Sequence, residues 1–303
     1  MELINIENYI EKRFKTAIAL GNFDGVHLGH QRLITDMINK AKSQGIKSSV
    51  LLFENHTKAF LDGTGPALIS SPEQKKHLIR ELGVEIIYSM DFNEDVMKLS
   101  PEEFVIEILL KKLNAKAIVV GTDYRFGHMA SGDAKLLKEL GKLYAFEVEI
   151  VQPVYIDDEI VSSTKIRKYL SEGRIEKALS LIGRDYSING KVVYGKKIGN
   201  KLGFPTANIE PNINYVVPKN GVYRTVTIVD NKKYLSATSV GYNPTFKESA
   251  IKIESHIIDF SDDIYGKTIE LVFKEYLREE IKFESIELLQ KQILNDILHV
   301  KKI

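Results

Sequence analysis

Residues 17–34 read AIALGNFDGVHLGHQRLI. The apolar run Ala17 to Leu20, with Thr16 before it, predicts a short buried strand. Gly21 to His27 predicts a tight turn, and Leu33, Ile34, Met37, Ile38 and Ala41 keep the spacing of an amphipathic helix that ends near Gly45. His27 and His30 stand three apart at the mouth of this strand-to-helix turn. A helix start aims unpaired backbone N–H groups outward, which favours an anionic guest such as a nucleotide phosphate. Gly21, Gly25 and Gly29 let backbone approach a ligand closely. Asn22 and Asp24 are turn formers, and Asp24 can also help place a metal. A glycine-rich turn with two incidental histidines is the plainer alternative.

Outward from this stretch, strand and helix signals alternate. Lys47 to Phe53, Val84 to Tyr88 and Ala117 to Val120 read as strands. Ser71-Pro72-Glu73 and Ser100-Pro101-Glu102-Glu103 read as helix starts, the second leading into a helix over Phe104 to Leu113. The alternation predicts an open, mostly parallel α/β sheet of Rossmann-like kind, whose ligands bind at the carboxyl ends of the strands, where Gly21 and Gly121 both fall. After about Gly183 the pattern changes. Tyr186 to Val193, Gly221 to Val229, Lys233 to Val240, Ile251 to Phe260 and Thr268 to Tyr276 read as β-branched and aromatic strands separated by turns, which predicts a small antiparallel barrel or sandwich. Short helices over 164–170 and 174–182 bridge the halves, and a last helix over 285–298 closes the chain.

The chain has 303 residues, enough for two domains, with 44% hydrophobic and 27% charged side chains. Its 42 basic and 41 acidic residues give a net charge of +1, which argues against nucleic acid or an anionic membrane as partner. The absence of cysteine excludes disulfides and thiolate metal sites. No apolar run approaches the roughly 20 residues of a membrane helix, and the first residues lack a signal-peptide pattern. The expectation is a cytoplasmic protein.

Four further segments carry chemistry. GTDYRFGHMASGD, 121–133, follows a strand end and holds Asp123, Arg125 and Phe126, an aromatic on which a base or flavin ring can stack. A polar strand-to-helix connection is the alternative. VSSTKIR, 161–167, places Ser162, Thr164, Lys165 and Arg167 at a helix start, a phosphate-binding set or simply a cap with surface cations. GKVVYGKKIGNKLGFPTAN, 190–208, predicts a glycine loop that wraps phosphates with backbone N–H groups, with hairpin turns as the alternative. It is not a Walker loop, because no GKS or GKT follows the glycines. Thr206 and Asn208 offer oxygen ligands to Mg²⁺. In IKIESHIIDF, 251–260, strand alternation puts Lys252, Glu254 and His256 on one face, where Glu254 is either a general base or a solvated carboxylate.

Together these segments resemble the prokaryotic bifunctional riboflavin kinase/FAD synthetase family over nearly the whole chain and in the family's order. GNFDGVHLGH, VVGTDYRFG with GD, and VSSTKIR resemble its adenylyltransferase motifs. GKVVYG…LGFPTAN, SVGYNPTF, IESHIIDF…DIYG and FKEYLREEIKF resemble its flavokinase module. The resemblance implies an HxGH nucleotidyltransferase domain over 1–183 and a six-stranded antiparallel flavokinase barrel with a terminal helix over 184–303. It implies phosphorylation of riboflavin to FMN by ATP, then adenylylation of FMN to FAD with release of pyrophosphate. Carried onto this chain, Glu254 is the base on the ribityl 5′-hydroxyl, and Thr206 and Asn208 hold Mg²⁺ and the ATP phosphates. Gly190, Gly195, Gly203 and Pro205 belong to the loop above them, and Arg278 lies near the flavin. In the other module His27 and His30 steady the triphosphate with Ser162, Thr164 and Arg167. Gly21, Phe23, Asp24, Gly121, Asp123, Arg125 and Phe126 shape the ATP and flavin pocket. The implied partners are riboflavin, FMN, FAD and ATP, with no nucleic acid and no membrane, in a monomer or weak homo-oligomer.

The chain departs from the family at Tyr194, where histidine is common, at Ile198 and Asn200, where basic residues are common, and at Lys247, where glycine is common. These departures leave two alternatives open: a monofunctional FAD synthetase paralogue whose second module only binds flavin, or a flavin-binding regulator.

Overall fold

The structure is a computed structural model that describes residues 1–7, 14–54, 65–195, 199, 202–242 and 251–302. Ile198, Asn200 and Lys247, and residues 243–246 of the SVGYNPTF motif, lie outside the described residues. The chain forms two compact units: residues 1–66 with 70–162, and residues 67–69 with 163–303.

In the first unit, β1 (Glu2–Asn5), β2 (Thr16–Leu20), β3 (Lys47–Phe53), β4 (Ile86–Met90), β5 (Ala115–Gly121) and β8 (Glu147–Val151) form a parallel sheet in the order β1-β4-β3-β2-β5-β8. Between β5 and β8 a small antiparallel pair, β6 (Arg125–Phe126) and β7 (Gly132–Asp133), fills what the sequence presents as an irregular connection. A second small pair, β9 (Tyr155–Ile156) and β10 (Glu159–Ile160), follows β8. The strands alternate sides as the pleat requires. Ala17, Ala19, Val50, Leu52, Ile87, Ala117 and Val119 pack on one face with α1 (Leu28–Gln44) and α2 (Pro72–Glu81). Ile18, Leu20, Leu51, Ile86, Tyr88, Ile118 and Val120 pack on the other with residues 104–113 and α5 (Ala134–Tyr144).

The helix ends are specified locally. α1 buries Leu33, Ile34, Met37 and Ala41 and stops at Gly45, in the left-handed region at φ 64°. α2 begins with a full capping box between Ser71 and Gln74 and Pro72 in its first turn. α3 (Glu94–Lys98) is short. α4 (Pro101–Glu103) opens on a second capping box, Ser100 with Glu103, and runs into Phe104–Lys112, which winds as a π-helix where the sequence predicts an α-helix. The edge strands β1 and β8, and α5, have no counterpart among the sequence expectations. β1 and β8 are exposed or half-buried along their length, so their apolar signal is weak.

In the second unit, α6 (Ser163–Ser171) and α7 (Ile175–Ile182) precede the barrel, and α7 packs on β11 (Tyr186–Val193) and β16 (Thr268–Arg278). That packing puts the edge of the compact unit at Ser163, whereas the change in sequence character comes only at 183. β11, β12 (Ala207–Pro211), β15 (Ile251–Ile257), β14 (Lys232–Tyr242), β13 (Gly221–Val229) and β16 close a six-stranded antiparallel barrel in that order. Tyr186, Ile188, Ile209, Leu271 and Phe273 fill one side of its interior. Buried hydroxyls of Thr225, Thr227, Ser236, Thr238 and Ser255 line the other and satisfy one another at 2.7–3.3 Å. α8 (Ile286–Lys301), capped by Ser285, closes the chain.

Candidate active sites

In the first unit β2 is the strand at which the sheet changes direction of growth. β3 and β4 are added on one side of it and β5 and β8 on the other, so the crevice at the carboxyl ends of β2 and β5 is the switch point where such sheets bind ligands. The histidine turn sits there. Phe23 at φ 51° and Val26 at φ 40° adopt the left-handed conformation beside Gly25 at φ 79°, a strained path for two bulky residues. Its anchors are visible. Asp24, buried, accepts the Ser70 N–H at 3.2 Å, and the Gly25 N–H donates to Ser70 Oγ at 3.0 Å. The buried Phe23 ring lies 3.3 Å from where a Cβ on Gly21 would stand, so Gly21 provides its clearance.

His27 caps α1: its Nδ1 accepts the His30 N–H at 3.3 Å, which places the proton of the neutral ring on Nε2. The two imidazoles stack with ring centroids 3.6 Å apart and planes 14° from parallel. A Cβ on Gly29 would lie 3.2 Å from the His27 ring and 3.8 Å from the Val161 carbonyl, so this glycine gives the first histidine its clearance and lies alongside the start of VSSTKIR. His30 Nδ1 is buried and has no hydrogen-bond partner among the described residues. Burial holds the His30 imidazole well below the usual histidine range, and the neighbouring His27 and Lys75 push in the same direction. His30 is therefore a neutral ring at pH 7, with an unused polar atom beside a helix start.

On the adjacent strand end, Asp123 folds back over Gly121, whose added Cβ would lie 2.9 Å from its Oδ1. Ser162 ends the first unit, and Thr164 and Arg167 belong to α6 of the second, where Arg167 Nε donates to the Ala67 carbonyl at 2.8 Å. Two candidates sit elsewhere. Phe126 is buried in the core against Phe104 and Tyr124 and offers no face to a ligand. Arg125 pairs with Asp133 at 3.4 Å, the residue that also caps α5. The aromatic signal at 126 is a core signal, because β6 turns that side chain inward.

The barrel builds a second site. Register places Asn208 directly opposite Glu254 across β12 and β15, with Val193 on the far side of Asn208 and Ser239 on the far side of Glu254. The four form one row across the outer face, while Ile253, Ser255 and Ile257 point inward as the alternation predicts. Glu254 is half-buried and ion-paired with Lys252 at 2.7 Å. Asn208 lies under Gly195: a Cβ there would come within 2.2 Å of Asn208 Nδ2. Thr206 Oγ1 lies 3.3 Å from where a Cβ on Gly199 would stand. The Pro205 carbonyl faces His256 Nδ1 at 2.8 Å, and Gly203 turns the chain at φ 85°. Gly190 stands inside β11, not in the loop, and its missing side chain makes room for Ile209 and the Glu210 carbonyl. The exposed Tyr194 stacks on Tyr265 at 4.2 Å.

Arg278 is committed to structure. Its Nε and Nη2 grip the Asp296 carboxylate at 3.0 and 2.7 Å, with the two side chains 18% and 9% exposed, and so fasten α8 to β16. Sequence reasoning also passed over Lys75, Ser70 and the Val161 carbonyl; in sequence a lysine among helical glutamines and lysines reads as solvated surface.

These sites define a two-unit phosphoryl- and nucleotidyl-transfer enzyme: an α/β unit with an anion-receptive histidine turn at its switch point, and a barrel with a carboxylate–amide row under glycines. The FAD synthetase family model matches residues 10–165 and the riboflavin kinase model residues 182–303. Bifunctional riboflavin kinase/FMN adenylyltransferases of Buchnera aphidicola subsp. Schizaphis graminum and Listeria monocytogenes are 39% and 38% identical to this chain. They match over 100% and 92% of it and over 98% and 89% of their own lengths. The Escherichia coli K12 enzyme of that name is 32% identical over 94% of this chain and 91% of its own. A solved Streptococcus pneumoniae chain described as a macrolide-efflux protein superposes with a TM-score of 0.91 at 32% identity, covering 100% of this chain and 99% of that one. Among the described residues no helix is long and apolar enough to cross a membrane. The chain belongs to the bifunctional riboflavin kinase/FMN adenylyltransferase family. It is an ATP-using enzyme that phosphorylates riboflavin to FMN and adenylylates FMN to FAD, not a single-activity paralogue or a regulator.

Proposed function

We propose that the two activities use separate sites, the barrel row for phosphorylation and the histidine turn for adenylylation. In the first step Glu254 takes the proton of the riboflavin 5′-hydroxyl as that oxygen attacks the γ-phosphorus of ATP and ADP leaves. Asn208 and Thr206 bind the phosphates from below, and Gly195, Gly199 and Gly203 flank them with backbone N–H groups. The pairing of Asn208 with Glu254 under a glycine carries this assignment.

Mg²⁺ fits the same place. The donors are a hydroxyl and an amide oxygen beside one carboxylate, a hard, weakly charged set suited to an ion that arrives with ATP phosphates, and the glycines leave space that a Cβ would fill. Thr206 and Asn208 would hold the ion, which when bound neutralises charge on the transferring phosphoryl group.

In the second step the FMN phosphate attacks the α-phosphorus of ATP and pyrophosphate leaves. Charge grows on the leaving group, and the helix start, His27 and His30, with Ser162 at the end of the same unit, receive it. A neutral His30 offers a hydrogen-bond donor without the desolvation cost of a buried cation. Gly21, Phe23, Asp24, Gly121 and Asp123 shape the nucleotide pocket. Dependence on ATP fits a cytoplasmic enzyme acting on small molecules. Labelled ATP tests the scheme: γ-label enters FMN and FAD when riboflavin is supplied, and α-label enters FAD only, released pyrophosphate matching it mole for mole. FAD free of α-label would refute the adenylyl step.

A further inference from the structure

Lys75 stands on the first turns of α2, half-buried, and its Nζ donates to the Asn22 carbonyl of the histidine turn at 3.0 Å. It makes no ion pair among the described residues. The two carboxylates whose charge it feels are engaged elsewhere: Glu54 is paired with Lys76 at 3.0 Å, and Asp24 accepts the Ser70 N–H. Among the described residues, one ammonium proton is used on a backbone carbonyl and two are not. A lysine withdrawn from water without a carboxylate has an unrecovered desolvation cost, and a bound anion is the ordinary way to recover it. The same ammonium acts electrostatically on His30, whose buried Nδ1 has no partner. A cation and an unused imidazole atom thus converge on one helix start.

We infer that Lys75 is a phosphate-binding residue of the adenylyl-transfer site, held on the Asn22 carbonyl and presented to the triphosphate of ATP. This deepens the assignment of the histidine turn and rests on it. With ATP bound, the two remaining donors reach phosphate oxygens, a charge-assisted contact made in the ground state and kept through the transition state.

Lys75→Gln separates charge from anchoring, because the glutamine amide still donates to a carbonyl. In FAD formation from supplied FMN it lowers kcat/KM for ATP by about ten- to a hundredfold, the worth of a charge-assisted hydrogen bond. Most of the loss falls on KM, while riboflavin phosphorylation by the same preparation is unchanged. Lys75→Arg keeps the charge and recovers most of the loss. The pH profile gives a readout that an anchoring role would not move. Burial lowers the Lys75 ammonium below the ordinary lysine value of 10.5; Asp24 and Glu54 hold its proton on, and Lys76 opposes them. Wild-type kcat/KM for ATP therefore falls along an alkaline limb as Lys75 deprotonates, and the limb is absent in Lys75→Arg. Lys75→Gln activity within twofold of wild type, or an unchanged limb in Lys75→Arg, overturns the inference. His30→Ala tested in parallel keeps the two ideas apart. If it too leaves FAD formation intact, the site assignment fails; if it abolishes FAD formation while Lys75→Gln does not, only the lysine inference fails.

Discussion

Gly195→Ala is a small change with a large expected consequence. The glycine is not in the left-handed region, so alanine meets no backbone strain, and space alone explains the residue. An added Cβ would stand 2.2, 2.5 and 2.6 Å from Nδ2, Cγ and Oδ1 of Asn208. Ordinary contact begins near 3.5 Å, so the amide must retreat by about 1 Å. A short side chain can yield at modest cost, and the barrel should lose no more than ~1–3 kcal/mol of stability. The amide then leaves its place opposite Glu254. A displacement of about 1 Å at a positioning group is worth roughly a hundredfold in rate. Initial rates of FMN formation from riboflavin and ATP should fall by that order, while FAD formation from supplied FMN stays within twofold. Gly195→Ala added to Asn208→Ala should change little further, because both act through one side chain. Folded Gly195→Ala protein that makes FMN at more than a third of the wild-type rate would refute the reasoning.

Three further outcomes follow from the same geometry. His30→Ala should lower FAD formation from FMN by about 10²–10³, the usual loss on removing one donor to a developing charge, with riboflavin phosphorylation retained; chromatographic rates for each step check it. Asp296→Ala leaves the Arg278 guanidinium poorly solvated and unpaired, and should destabilise the barrel unit by ~3–5 kcal/mol. Urea unfolding followed in the second unit measures this, and a change below about 1 kcal/mol would show the pair to be unimportant. His30 also sets a pH dependence. Its folded pKa is depressed, so below the ordinary histidine value of 6.5 the unfolded chain takes up a proton that the folded chain refuses. Stability is present above that pH and is lost as pH falls through the window beneath it, by at most about 1.4 kcal/mol per pH unit from this residue. Thermal midpoints of ligand-free wild type and His30→Ala between pH 7 and 5 should therefore converge on acidification; parallel curves would contradict the burial argument.

The central strands and α1 were legible because burial on both faces or strict alternation leaves a strong mark on sequence. β2 is buried at every residue, and β15 alternates with Ile253, Ser255 and Ile257 inward. β12 was not legible as a strand: it is five residues long, opens just after Pro205-Thr206 and ends on Pro211, so it reads as part of the glycine loop. Phe126 and Arg278 show the limit for site residues. An aromatic in a polar loop and an arginine in a charged run look like ligand groups until tertiary structure supplies Phe104 for one and Asp296 for the other. Lys75 shows the converse, since its proximity to Asn22 is separated by 53 positions in the chain and leaves no local pattern.

Glu254→Gln tests most directly the proposal of two chemically independent sites in one chain. The purified variant is given ATP and Mg²⁺ with either riboflavin or FMN, and riboflavin, FMN and FAD are resolved by chromatography. The expected result is no FMN and no FAD from riboflavin, with FAD formed from FMN at the wild-type rate. Loss of both reactions to the same extent in folded protein, or undiminished FMN formation from riboflavin, would contradict it.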